Sequence, residues 1–113
     1  MIIQGRELNM LVDSCAGVSV ISASILDNLL YKDCDRKVCM SALTGESISS
    51  EMVTISVPIN DREVEEDFLV HSNDDIGNFK KLYGIQINGI LGNEFFEKTG
   101  CKIDYRNHMV TFY

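Results

Sequence analysis

The segment Leu11-Val12-Asp13-Ser14-Cys15-Ala16-Gly17-Val18-Ser19-Val20-Ile21 sets a single acid between two apolar runs and surrounds it with small residues. The apolar runs read as buried strands, which puts Asp13 at a strand end with open space around its carboxyl group. A carboxylate held this way can give or take a proton at a bound substrate. Ser14 offers a hydroxyl beside it and Cys15 a thiol. Neither histidine, His71 or His108, is expected near Cys15, so no base is at hand to make that thiol a nucleophile. Taken alone, such an acid is more commonly a strand-end residue that caps a turn. Cys34 and Cys39 lie five apart and no CxxC occurs, so no zinc site is expected, and no metal or cofactor. Reduced, mostly buried thiols in a cytoplasmic setting are the expectation for Cys15, Cys34, Cys39 and Cys101.

The elements that must hold Asp13 can be taken in order. Residues 1–4 and 8–12 read as two strands joined by a turn at Gly5-Arg6-Glu7, and 18–21 as a third. Residues 22–30 read as a short helix with Ile25, Leu26, Leu29 and Leu30 on one face and Ser22 or Ser24 as its cap. Residues 31–36 look like an exposed connection, and strand character resumes at 38–43 before the turn Thr44-Gly45-Glu46-Ser47. In 52–59, Val53, Ile55, Val57 and Ile59 alternate onto one face, and Pro58 points to an edge or a strand end. Residues 64–70 return as a strand, with Glu65, Glu66 and Asp67 expected on a solvated face. A loop with one helical turn should fill 72–83. A strand ends at Leu91-Gly92, Asn93 is expected to cap a second short helix, and Gly100 to stop it. A hairpin around Arg106-Asn107 closes the chain. The fold class is all-β, mainly strands with two short helices.

With 113 residues, the chain is expected to be one domain, 1–113, able to bury its own core. Seventeen acids against ten bases give a formal charge of -7, which disfavours nucleic acid and anionic membrane surfaces as partners. No apolar run is long enough to span a bilayer. The opening Met1-Ile2-Ile3-Gln4-Gly5-Arg6 lacks the basic-then-apolar order of a signal peptide.

Two stretches about 75 residues apart carry a resemblance that covers essentially the whole chain. Leu11-Val12-Asp13-Ser14-Cys15-Ala16, followed by an apolar strand, resembles the apolar-apolar-Asp-Thr/Ser-Gly-Ala signature of the retropepsin-like aspartic proteases. Ile90-Leu91-Gly92-Asn93-Glu94-Phe95-Phe96, Thr99-Gly100 and Cys101-Lys102-Ile103-Asp104-Tyr105 are similar to that family's second signature. The resemblance implies a closed barrel or β-sandwich, an aspartic endopeptidase, and catalysis by Asp13 with Ser14, Cys15 and Ala16 as its supporting loop. Because the chain has one such loop and the chemistry needs two carboxylates sharing a proton, it implies a homodimer in which Asp13 faces Asp13. Peptides or proteins would be the substrates, and residues 38–59 the flap hairpin, touching substrate through Thr44, Gly45 and Glu46 at its tip.

Cys15 departs from the family pattern, which has glycine there. A side chain at this position takes up space next to the scissile bond. Four readings follow: an active protease that accommodates the thiol, a protease-fold chain that has lost catalysis and serves as a dimerisation or peptide-binding module, a disulfide across the dimer axis, or an altered residue. Asp104 recurs in the family pattern, but its place in a terminal strand points to structural hydrogen bonding.

Overall fold

A computed structural model describes residues 1–41, 47–72, 76 and 79–113, and the backbone alone of 35–41, 47–50 and 79. Strands dominate. The chain begins with β1 (Ile2–Ile3) and β2 (Arg6–Glu7), paired antiparallel with Ile3 opposite Arg6. The turn therefore falls at Gln4-Gly5, one residue earlier than expected. Both residues have positive φ, 51° and 77°, which matches the twist of a two-residue hairpin. β3 (Met10–Val12) does not pair back onto β1. It lies parallel to β8 (Gly89–Leu91), almost eighty residues away, with Val12 opposite Leu91.

β4 (Ser19–Ser22) lies antiparallel to the other side of β8 and parallel to β7 (Arg62–His71). β7 pairs with β6 (Ser47–Ile59), and β6 with β5 (Lys32–Ser41), giving the order β3-β8-β4-β7-β6-β5. Residues 31–36, expected to be a connection, mostly belong to β5, because Lys32, Asp33 and Cys34 pair with Thr54, Val53 and Met52. The sheet is open, with β3 and β5 at its edges, where a closed barrel was expected. Closure needs every edge paired, and the hairpins β1–β2 and β9 (Lys102–Asp104)–β10 (Met109–Thr111) pair only within themselves. β5 pairs with β6 no further than Thr54, so Pro58 sits beyond it near the β6–β7 turn, where a missing N–H costs little.

The alternation in β6 is borne out: Val53, Ile55, Val57 and Ile59 are buried, alongside Ile3, Ile21, Leu26, Phe68, Leu91 and Phe95. Each such side chain contributes about 1.5–3 kcal/mol. Among the described residues three short helices form, the two expected ones and one in the stretch where a helical turn was expected. α1 (Ala23–Leu26) is shorter than expected, because Asn28 and Leu29 donate to Ile25 and Leu26 in tighter turns. That tightening leaves Leu29 buried and sends Leu30 into solvent at 82% exposure. Ser22 precedes α1 without capping it, its Oγ pairing with Ser24 Oγ at 3.0 Å. α2 spans Phe79–Tyr83. α3 (Asn93–Thr99) is preceded by Gly92 rather than capped by Asn93, whose Nδ2 reaches Glu97 at 2.9 Å. Gly100 does end it in the left-handed region, at φ 65°. Phe95 roots α3 in the core, edge-on to Phe112 with ring centres 5.6 Å apart.

Candidate active site

The order β3-β8-β4 dictates the shape of the site. The chain leaves β3 at Val12, passes over the end of β8, and re-enters as β4 on the far side. Residues 13–18 therefore bridge the end of β8, where Leu91 gives way to Gly92 and α3. The two stretches singled out in the sequence meet here.

Backbone hydrogen bonds tie the bridge to β8 and α3 at both ends. Asp13 donates its N–H to the Leu91 carbonyl at 3.1 Å. Asn93 and Glu94, the first residues of α3, donate to the carbonyls of Ala16 at 2.7 Å and Gly17 at 3.4 Å. These are N–H groups that a helix start cannot satisfy within itself. Within the loop, Asp13 Oδ1 accepts from the Cys15 N–H at 3.0 Å and the Asp13 carbonyl accepts from Ala16 at 3.1 Å. The Asp13 side chain is thus oriented by its own loop, half-buried at the strand end.

Gly92 makes this close passage possible. A Cβ there would lie 2.6 Å from the Val18 carbonyl oxygen and 2.8 Å from that of Ala16. Real side chains do not approach backbone that closely, so glycine is required at this crossing. Gly89, below it in β8, faces a similar limit, with Val20 O at 2.6 Å.

Ser14 and Cys15 are exposed and Ala16 is half-buried. Cys15 carries a free thiol, as do Cys34 and Cys101. It does not occupy the left-handed region, so a side chain there strains no backbone. Burial pushes the Cys101 thiol above its ordinary pKa, against a smaller opposing effect from a backbone hydrogen bond. Thr44, Gly45 and Glu46 lie outside the described residues. The arms of the hairpin that would carry them do pair, Ser41 with Ser47 and Cys39 with Ser49.

A concavity of about 210 Å³ lies between Val12, Ser14 and the β9–β10 hairpin, which contributes Ile103, Tyr105 and Met109. Val12, Tyr105 and Met109 are exposed apolar side chains, which makes this side of the Asp13 loop sticky. Asp104 also borders the concavity, but its carboxylate is occupied. It accepts from the Asn107 side chain at 2.8 Å and from the N–H groups of Asn107 and Arg106 at 3.2 and 3.0 Å. The Asn107 side chain first, then its backbone N–H, holds the Asp104 pKa below its ordinary value. Asp104 is therefore a turn residue, in line with its expected structural role. A larger groove of about 510 Å³, lined among others by Ile2, Tyr31, Thr54 and Glu65, includes no residue of the Asp13 loop.

Glu66, expected on a solvated face with Glu65 and Asp67, is fully buried. Its Oε2 accepts from the Ser19 hydroxyl at 3.0 Å and its Oε1 from Lys98 Nζ at 2.8 Å. Ser19 Oγ in turn accepts the Gly92 N–H at 3.0 Å. Burial lowers the Lys98 pKa, but the Glu66 hydrogen bond and the charges of Glu66, Asp67 and Glu94 outweigh it and leave the ammonium raised. Strand periodicity carried the signal. Glu66 shares its face with Val64 and Phe68, so an inward carboxylate was implied.

Among the described residues, no group of three or more His, Cys, Asp or Glu could hold a metal ion. No helix among them is long and apolar enough to cross a membrane. Compared with known proteins, the chain matches no family model and no curated protein.

Proposed function

We propose that the chain is an aspartic endopeptidase of retropepsin-like architecture that works as a homodimer, with one Asp13 from each copy. The observation that carries this reading is the bridge over β8. It holds Asp13 at a strand end, half-buried, with its N–H bonded to Leu91 and its Oδ1 oriented by Cys15. A carboxylate so held is accessible yet directed, as a group that activates water must be.

Two such loops brought together on a two-fold axis would force their carboxylates to share a proton, one acting as base and the other as acid. The base takes a proton from water, and the acid protonates the peptide carbonyl. Exposed Val12, Tyr105 and Met109 beside the loop offer apolar surface for a second copy. Ser14, also on the loop, would sit near the axis. The flap hairpin, residues 38–59, whose arms are the end of β5 and β6, would close over a peptide.

A second reading has its own support: a protease-like module that binds peptide without cleaving it. The exposed Cys15 thiol beside Asp13 favours it, since a side chain there would stand in the space that a peptide bound at Asp13 would need. Cleavage of a peptide library at acidic pH, sensitive to pepstatin and abolished by Asp13→Asn, is the expected result for the enzyme. A wild-type protein that stays monomeric at high concentration and cleaves nothing would exclude it.

A further inference from the structure

We infer that Glu66 and Lys98 are positioning residues for the Asp13 loop, acting through Ser19 and Gly92. The inference rests on the aspartic-protease reading for its catalytic consequence and on geometry alone for its structural one. The chain of contacts runs Lys98 Nζ to Glu66 Oε1 at 2.8 Å, Ser19 Oγ to Glu66 Oε2 at 3.0 Å, and Gly92 N to Ser19 Oγ at 3.0 Å. It joins α3, β7, β4 and the β8–α3 junction.

The Asp13 loop hangs from that same junction. Leu91 supplies the carbonyl that holds Asp13, while Asn93 and Glu94 supply the N–H groups that hold Ala16 and Gly17. Fixing Gly92 therefore fixes three of the loop's backbone contacts at once. Lys98 also donates to the Glu65 carbonyl at 3.0 Å, so α3 is anchored to β7 through both backbone and side chain.

The chemistry explains why a charge is used. A hydroxyl can accept from Gly92 and donate to a partner, but it needs that partner to be a fixed acceptor. A buried carboxylate with no donor other than Ser19 would be costly, and Lys98 supplies the compensating charge. Lys98 is half exposed along its own side chain, at 42%, while Glu66 is at 0%. The carboxylate is thus the immobile member, and the serine hydroxyl takes its direction from it. The exposed pair Lys32–Glu65, at 3.2 Å with side chains 77% and 63% exposed, has no comparable role and serves as a control.

The test compares Glu66→Gln, nearly isosteric and uncharged, with wild type and with Lys32→Met. Circular dichroism and sedimentation first establish that each variant folds and keeps its oligomeric state. Amide hydrogen exchange of Asp13, Gly92 and Asn93 is then read against core amides of β6, together with kcat and KM on a cleaved peptide. In Glu66→Gln, exchange at these three amides should rise about tenfold or more while β6 stays unchanged. Misplacement of a reacting group by a fraction of an ångström should lower kcat by roughly ten- to a hundredfold with KM nearly constant. Lys32→Met should change neither.

A uniform rise in exchange across the core, or no change at Gly92, would overturn the inference, as would a rise in KM with kcat intact. Should Glu66→Gln not fold, Ser19→Ala carries the same test, because it cuts the link between Glu66 and Gly92 while the Glu66–Lys98 pair stays in place. If wild type cleaves nothing, the protease reading fails, and the exchange pattern alone still decides whether the Glu66 clamp holds the loop.

Discussion

Replacing Gly92 by alanine probes the crossing of the Asp13 loop over β8 with one methyl group. The added Cβ would sit 2.6 Å from Val18 O, 2.7 Å from Val18 C and 2.8 Å from Ala16 O, all backbone atoms that cannot swing aside. Ordinary contact begins near 3.4 Å, so the loop and β8 must part by about 0.8 Å. The Asn93–Ala16 hydrogen bond, now 2.7 Å, would be stretched past the useful range near 3.2 Å, and the Gly92–Ser19 bond with it. Overpacking of this kind costs about 1–3 kcal/mol. For a chain of this size, that corresponds to a fall in Tm of very roughly 4–20 °C. Urea unfolding at fixed protein concentration, with amide shifts of residues 13–19, is the assay. A midpoint within error of wild type, together with unmoved loop amides, would refute the claim that Gly92 is required by the loop above it.

Two further outcomes are expected. The lowered Asp104 pKa means that its turn contributes stability above the ordinary carboxyl value of 3.8 and loses it only as pH falls through the lower folded value. Asn107→Ala should move the Asp104 titration back toward 3.8, seen by carboxyl NMR, and an unmoved titration would remove Asn107 as its cause. Cys15→Gly should raise peptide cleavage by about tenfold or more if the thiol obstructs the cleft, while lowering stability by only about 0.5–1 kcal/mol from added chain freedom. Equal cleavage by both forms would dismiss the thiol as an obstruction.

How much of this was legible depends on the range of the signal. Short-range patterns carried well: the alternation of Val53 to Ile59, the left-handed stop at Gly100 and the terminal hairpin are all present. So was the strand-end position of Asp13. Pairing partners were not legible, because β3 joins β8 in parallel across nearly eighty residues and no local pattern encodes that choice. The run 31–36 looked like a connection because its side chains are polar, yet its backbone pairs with β6 for Lys32 to Cys34. An edge strand can be polar, since water covers it. Glu66 was misread for the opposite reason. Flanked by Glu65 and Asp67 it reads as one of three surface acids, although strand alternation sends it inward with Val64 and Phe68. Composition suggested water, and periodicity suggested the core. Periodicity was right because Lys98 and Ser19 complete the carboxylate's bonds, and both partners are remote in sequence.

The two unusual positions of the site, 15 and 92, differ in who requires glycine. At 92 the chain itself does, since any Cβ strikes the carbonyls of Val18 and Ala16. At 15 the chain does not. The backbone there avoids the left-handed region, the residue is exposed, and its N–H already serves Asp13 Oδ1. A glycine requirement at 15 can therefore come only from something placed against the loop: a second copy of this chain or a bound peptide. Cysteine at 15 costs the isolated fold nothing, so folding alone gives no reason to avoid it. On the proposed reading its consequence would be a change in dimer affinity or in peptide binding, with the stability of the single chain as the quantity that stays nearly still.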